Sequence, residues 1–176
     1  MVEKGKAEIT WSKITAEMAL HMKCLLIVFS YHHNNTEKIA KTFADVLDSK
    51  IKTPQQTNPE EINQYDLVGF GAGIDSGKHY KELLDFAEAL PQVNDKKAFI
   101  FSTSEVTGEK KRTKDHSALR EKLHSKGYTI IDEFQCKGFN TNSFLKIFGG
   151  MNKDRPNAED LKHAEEFAQN LKRSEN

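Results

Sequence analysis

The sequence predicts an α/β domain, an open and mostly parallel sheet with helices on both faces. Three observations carry that prediction. Continuous apolar runs such as Cys24–Phe29 (CLLIVF) suit parallel strands covered on both sides. Stretches with apolar residues at helical spacing follow these runs. The two patterns alternate about five times in 176 residues, a length that fits one domain.

Each element has its own signal. Trp11, Ile14, Met18 and Met22 fall at helical spacing ahead of the first core strand. Residues 1–22 therefore read as an N-terminal extension, loosely packed or absent from the native protein with Met22 as its start, and residues 23–174 as the domain. Thr36–Ser49 carries Ile39, Phe43, Val46 and Leu47 on one helical stripe. Ile51–Thr53 reads as a short strand. Asn58-Pro59 starts a short helix, because Asn caps and Pro suits the first helical position. Tyr65–Gly71 is the next strand. Lys78–Leu90 is a helix stopped by Pro91, and Lys97–Thr103 is another buried strand. His116–Lys126 is a helix ended by Gly127, followed by the strand Tyr128–Cys136. Asn157 caps a last helix with the stripe Leu161, Ala164, Phe167, Ala168 and Leu171.

Composition excludes several classes. Lysine plus arginine (26) balances aspartate plus glutamate (26), which gives no support for a nucleic-acid or membrane surface. Two cysteines in apolar runs, Cys24 and Cys136, do not form a disulfide framework or a zinc motif and read as buried thiols of a cytoplasmic protein. No run approaches the roughly 20 apolar residues of a membrane helix.

Ligands of such sheets sit beyond the carboxyl ends of the strands. Three segments at that edge differ from ordinary connections. Ser30–Thr36 (SYHHNNT) leads into a helix N-terminus, whose free amides and dipole suit an anion. Asn35 and Thr36 add donors, Asn34 tolerates the positive φ such a turn needs, and His32 and His33 each offer an N–H. The same residues also suit a plain helix cap. Gly69–Lys78 (GFGAGIDSGK) concentrates four of the ten glycines, letting backbone approach a flat ligand, or forming a flexible turn. Ser102–His116 begins with small hydroxyl residues and continues as a long polar loop. Its basic run of Lys110, Lys111, Arg112 and Lys114 reads best as solvated charge.

Together these segments resemble the flavodoxin family over Met22 to Leu171. The phosphate loop of that family has the form T-x-T-G-N-T; Asn35 and Thr36 match its last two positions, Asn34 stands in place of glycine and His33 in place of threonine. The resemblance implies a three-layer flavodoxin-like sandwich with a five-stranded parallel sheet in the order 2-1-3-4-5. It implies FMN held through its phosphate by Ser30, Tyr31, His32, His33, Asn34, Asn35 and Thr36. Gly71, Ala72, Gly73 and Ile74 would flank one side of the ring, and Ser102, Thr103, Ser104 and Glu105 the other. The aromatic ring sandwich usual in the family is not evident: Trp11 lies before the fold, Tyr80 falls in a helix and the third loop has no aromatic residue. The implied function is FMN-dependent electron transfer. The alternatives are a small FMN-dependent NAD(P)H or quinone oxidoreductase, or a flavodoxin-like domain that has lost flavin. The expected partner is a redox protein or a nicotinamide or quinone substrate, with the chain a monomer or homodimer.

Overall fold

The computed structural model describes residues 22–31, 33–139 and 151–174. Its elements are β1 (Cys24–Phe29), α1 (Asn35–Leu47), β2 (Lys50–Lys52), β3 (Leu67–Asp75), β4 (Lys78–His79), α2 (Lys81–Glu88), β5 (Lys96–Ser104), α3 (Glu109–Ser125), β6 (Tyr128–Lys137) and α4 (Ala158–Ser174), with short 3-10 turns at Pro54–Gln56 and Pro59–Gln64. Parallel pairing runs β2-β1-β3-β5-β6, and β4 folds back antiparallel on the end of β3. The expected order is therefore found, with β5 and β6 as its fourth and fifth strands and β4 as an addition. The reading of residues 1–21 as an extension concerns residues outside those described; Met22 packs against the core on the α1 side.

Strand alternation sends side chains into two cores. Leu25, Ile27, Val68 and Phe70 meet Leu83 and Leu84 of α2 and Leu119 and Leu123 of α3. Leu26, Val28, Phe99 and Phe101 meet Ile39, Phe43 and Leu47 of α1 and Ala164, Ala168 and Leu171 of α4. Three layers follow, with α1 and α4 on one face and α2 and α3 on the other. Phe43 is the hub of the second core, with ring centroids 5.0–5.8 Å from Phe101, Phe134, Phe167 and Phe99.

Several local signals hold. Asn58 Oδ1 accepts from the Glu60 amide at 3.1 Å. Asn157 Oδ1 accepts from the amides of Glu159 and Asp160, while Asp160 accepts from the Asn157 amide at 2.9 Å, a reciprocal cap. Gly127 (φ 88) ends α3 where a Cβ would lie 1.9 Å from the Val93 carbonyl oxygen. Both cysteines are buried and free. No helix among the described residues is long and apolar enough to cross a membrane.

Two boundaries differ from expectation. Lys78 and His79 belong to β4, so the helix expected from Lys78 begins at Lys81. The long polar loop expected up to His116 is helix from Glu109. Its first half buries Asp115 and His116 rather than apolar residues, which removes the stripe that marks a helix in sequence.

Candidate functional site

The sheet reverses direction of growth between β1 and β3, and a cleft opens there beyond the carboxyl ends of the strands. It is open to solvent, with about 420 Å³ of non-protein space when that open solvent is counted.

One end of the cleft is the mouth of α1. Asn34 (φ 51) takes the left-handed conformation expected of it, and His33 (φ 56) does so as well. The first i→i−4 bond of α1 runs from the Lys38 amide to the Asn34 carbonyl, so the amides of Asn35, Thr36 and Glu37 precede the helical ladder. Thr36 is buried, and its hydroxyl lies 2.8 Å from that of Thr103 on β5. One hydroxyl of that pair donates to the other, leaving the second proton for a ligand. Asn35 Nδ2 donates to the Phe139 carbonyl at 2.7 Å, while its buried Oδ1 has no protein partner. One N–H of the Asn35 amide is thus engaged by Phe139, and its oxygen has no partner among the described residues.

The walls come from four strand ends. Ser30 and Tyr31 follow β1, Gly73, Ile74 and Tyr80 come from β3 and the segment after β4, Thr103 and Ser104 end β5, and Glu105 follows it. Gly138 and Phe139 follow β6. Gly73 must be small, since a Cβ there would meet the Tyr80 ring at 2.6 Å. At Gly138 a Cβ would approach Asn35 Nδ2 at 3.0 Å and Thr103 Cβ at 3.1 Å. Asn152 ties the rim together, donating to the Glu105 carbonyl at 2.9 Å and toward that of Gly138 at 3.4 Å.

Aromatic residues do reach this site. Tyr31, 70% exposed, stands edge-on to Tyr80 at 6.5 Å, and His33 lies 4.3 Å from the Phe139 ring. Burial, with Asp75 and Glu82 nearby, raises the Tyr80 pKa and keeps its phenol protonated. Tyr80 was hidden in sequence because the β4 hairpin delays the helix that was expected to absorb it. Gly138 and Phe139 had no signal beyond their place after the last strand.

Three expected site residues lie elsewhere. Gly71 and Ala72 are inside β3, paired with Val28 and Phe29 of β1 and with Phe101 and Ser102 of β5, so their amides are engaged in the sheet. Ser102 points to the opposite face from Thr103, as strand alternation requires, and bonds His116 at 2.8 Å. His32 lies outside the described residues, while His33 and Asn34 shape the turn at the rim.

A switch-point cleft with a helix mouth at one end and aromatic walls is set in an α/β domain of flavodoxin-like fold. The chain belongs to the flavodoxin domain family, whose model matches residues 26–174. It is 48% identical over 150 residues to an uncharacterized protein of Methanocaldococcus jannaschii, MJ0298, covering 85% of this chain and 98% of that one. Its fold matches oxidised flavodoxin 2 of Bacillus cereus with a TM-score of 0.64 at 18% identity, over 86% of this chain and 99% of that one. It also matches rubredoxin oxygen:oxidoreductase of Desulfovibrio gigas, with a TM-score of 0.60 at 17% identity, over 96% of this chain but 41% of that longer protein.

Proposed function

We propose that the chain binds FMN in this cleft and serves in electron transfer. The observation that carries this reading is the meeting of two features in one crevice. The pre-helical amides of Asn35, Thr36 and Glu37 suit a phosphate, and the unpartnered Asn35 Oδ1 beside them suits a ribityl hydroxyl. Ile74 and Tyr80 on one side and Ser104 and Glu105 on the other leave a slot for a flat ring system.

A bound flavin supplies one- and two-electron chemistry; the chain supplies binding, orientation and electrostatics. The helix mouth holds the anionic tail, and no lysine or arginine is among the described residues that line the cleft. Tyr80, neutral and half-buried, covers one ring face, and main-chain groups after Ser104 border the other. The exposed ring of Tyr31 lies where electrons would enter or leave, toward a partner protein or a nicotinamide or quinone.

The test is the visible spectrum of the purified protein, followed by release and identification of any bound chromophore. Flavin absorbance, or flavin retained by a colourless preparation after FMN is added and the excess removed, is the expected result. A protein that retains no flavin after that step contradicts the reading. Reduction of a quinone by a nicotinamide without a partner protein would identify an oxidoreductase rather than a carrier.

A further inference from the structure

Behind the cleft wall, a second cluster of titratable side chains lies between α3 and the ends of β4, β5 and β6. His116 is fully buried. Its Nδ1 lies 2.8 Å from Glu133 Oε2 and its Nε2 lies 2.8 Å from Ser102 Oγ. Arg120 closes on the same carboxylate at 2.6 and 2.7 Å. Gln135 Nε2 donates to Ser102 Oγ at 3.2 Å and to Asp115 Oδ2 at 3.0 Å, and Lys111 pairs with Asp115. A carboxylate only accepts, so His116 donates through Nδ1; its bare Nε2 then accepts the Ser102 hydroxyl.

His79 lies against this assembly. It is 1% exposed, its Nε2 donates to the Phe101 carbonyl at 3.3 Å and its ring centroid is 4.9 Å from that of His116. Its Nδ1 has no partner. His79 pairs with Ile74 across the β3–β4 hairpin, and the Tyr80 amide donates to the Gly73 carbonyl at 3.3 Å. The hairpin turn, Ser76 (φ 50) and Gly77 (φ 79), faces α3; a Cβ on Gly77 would lie 3.9 Å from Asp115 Oδ1. The pairing of β3 with β5 ends at Gly73–Thr103. Beyond it, Ile74 and Tyr80 are held by the hairpin and by what lies under it.

We propose that His79 is a positioning residue for the cleft: resting on His116 and the Phe101 carbonyl, it latches the β3–β4 hairpin, and with it Ile74 and Tyr80, in the ligand-binding position, and the latch releases when the imidazole pair takes up a proton. A proton on His79 Nδ1 would put a charge and an unpaired donor into a closed site facing a second imidazole. Burial, followed by His116, pushes the His79 pKa down to about 3, against the opposing pull of the Phe101 carbonyl and Glu133; Arg120 pushes it lower. Burial lowers His116 too, against Glu133, with Arg120 and Arg112 adding to the fall. In an opened hairpin His79 is solvated and titrates near about 6.5. The open state therefore binds more protons than the closed one between about 6.5 and the depressed value. Opening that releases His79 alone grows by about tenfold for each pH unit below about 6.5. Only the identity of the ligand in this proposal rests on the flavin reading.

Amide hydrogen exchange of the ligand-free full chain, corrected for intrinsic pH dependence, tests the latch directly. The opening constant at Ile74 and Tyr80 should rise about tenfold per pH unit below about 6.5, while that of β1 stays level. In His79→Gln the slope should vanish. A flat profile in the wild type, or an unchanged slope in the variant, overturns the proposal. Should the variant not fold, ring nitrogen NMR of the wild type decides. Both imidazoles neutral at pH ~6, His79 protonated on Nε2 and His116 on Nδ1, support the latch; either one titrating near 6.5 in the folded chain overturns it. Riboflavin, which lacks a phosphate, should bind more weakly in parallel with opening. An exchange slope in a chain that binds neither riboflavin nor FMN retains the latch and removes the flavin.

Discussion

A methyl group added at Gly71 would lie 2.2 Å from the Phe101 ring, and one at Gly69 would lie 2.5 Å from the Phe99 ring. These glycines make room for the aromatic core around Phe43. Gly71→Ala should lower stability by about 1–3 kcal/mol, read as a lower midpoint in urea, with no selective effect on cofactor affinity once folded. Thr36 should behave in the opposite way. Thr36→Val keeps its shape but leaves the buried Thr103 hydroxyl without its partner, at a cost of about 1–3 kcal/mol, and should weaken FMN binding in a titration. The sequence reading placed both residues in ligand loops. Thr36 was legible because a helix start has a local signature. Gly71 was not, because the ring that requires its small size is thirty positions further along the chain.

At the scale of elements, α3 shows what patterning conveys and what it misses. Its second half carries Leu119 and Leu123 and ends at Gly127, all readable in sequence. Its first half turns Asp115 and His116 inward to the polar cluster, so it looked like a loop. Glu133 anchors that cluster. Burial alone would raise its carboxyl, but hydrogen bonds from His116 and Arg120 outweigh burial and bring it to about 2. A depressed carboxyl contributes stability that is complete above its unfolded value, near about 4.3, and is lost as pH falls toward 2. Glu133→Gln should therefore flatten the acid limb of the stability curve between about 4.3 and 2, measured by denaturant melts across that range. An unchanged limb would contradict the assigned pairing. The hairpin at β4 was also hidden: two residues of strand have no period, and Lys78 to Leu90 reads equally well as one helix.

For the whole molecule, two cores on either side of one sheet fix the strand ends, and the strand ends fix the cleft. Phe43→Ala, removing the hub of four ring contacts, should cost about 3–5 kcal/mol and release bound cofactor on unfolding without an intermediate of altered affinity. The fold was legible because alternation of apolar runs and helical stripes is a property of the whole chain. The site was legible where it follows from topology, at the mouth of α1 and the end of β5, and illegible where it depends on distant segments meeting, as at Phe139 and Tyr80. The central claim is that the amides of Asn35, Thr36 and Glu37 hold a phosphate. It is tested most directly by calorimetric titration of the same preparation with FMN and with riboflavin, in the presence and absence of inorganic phosphate. FMN should bind at least about tenfold more tightly, since charge-assisted hydrogen bonds contribute roughly 1.5–3 kcal/mol, and inorganic phosphate should narrow the gap. Equal affinity for the two flavins, with phosphate having no effect, would contradict it.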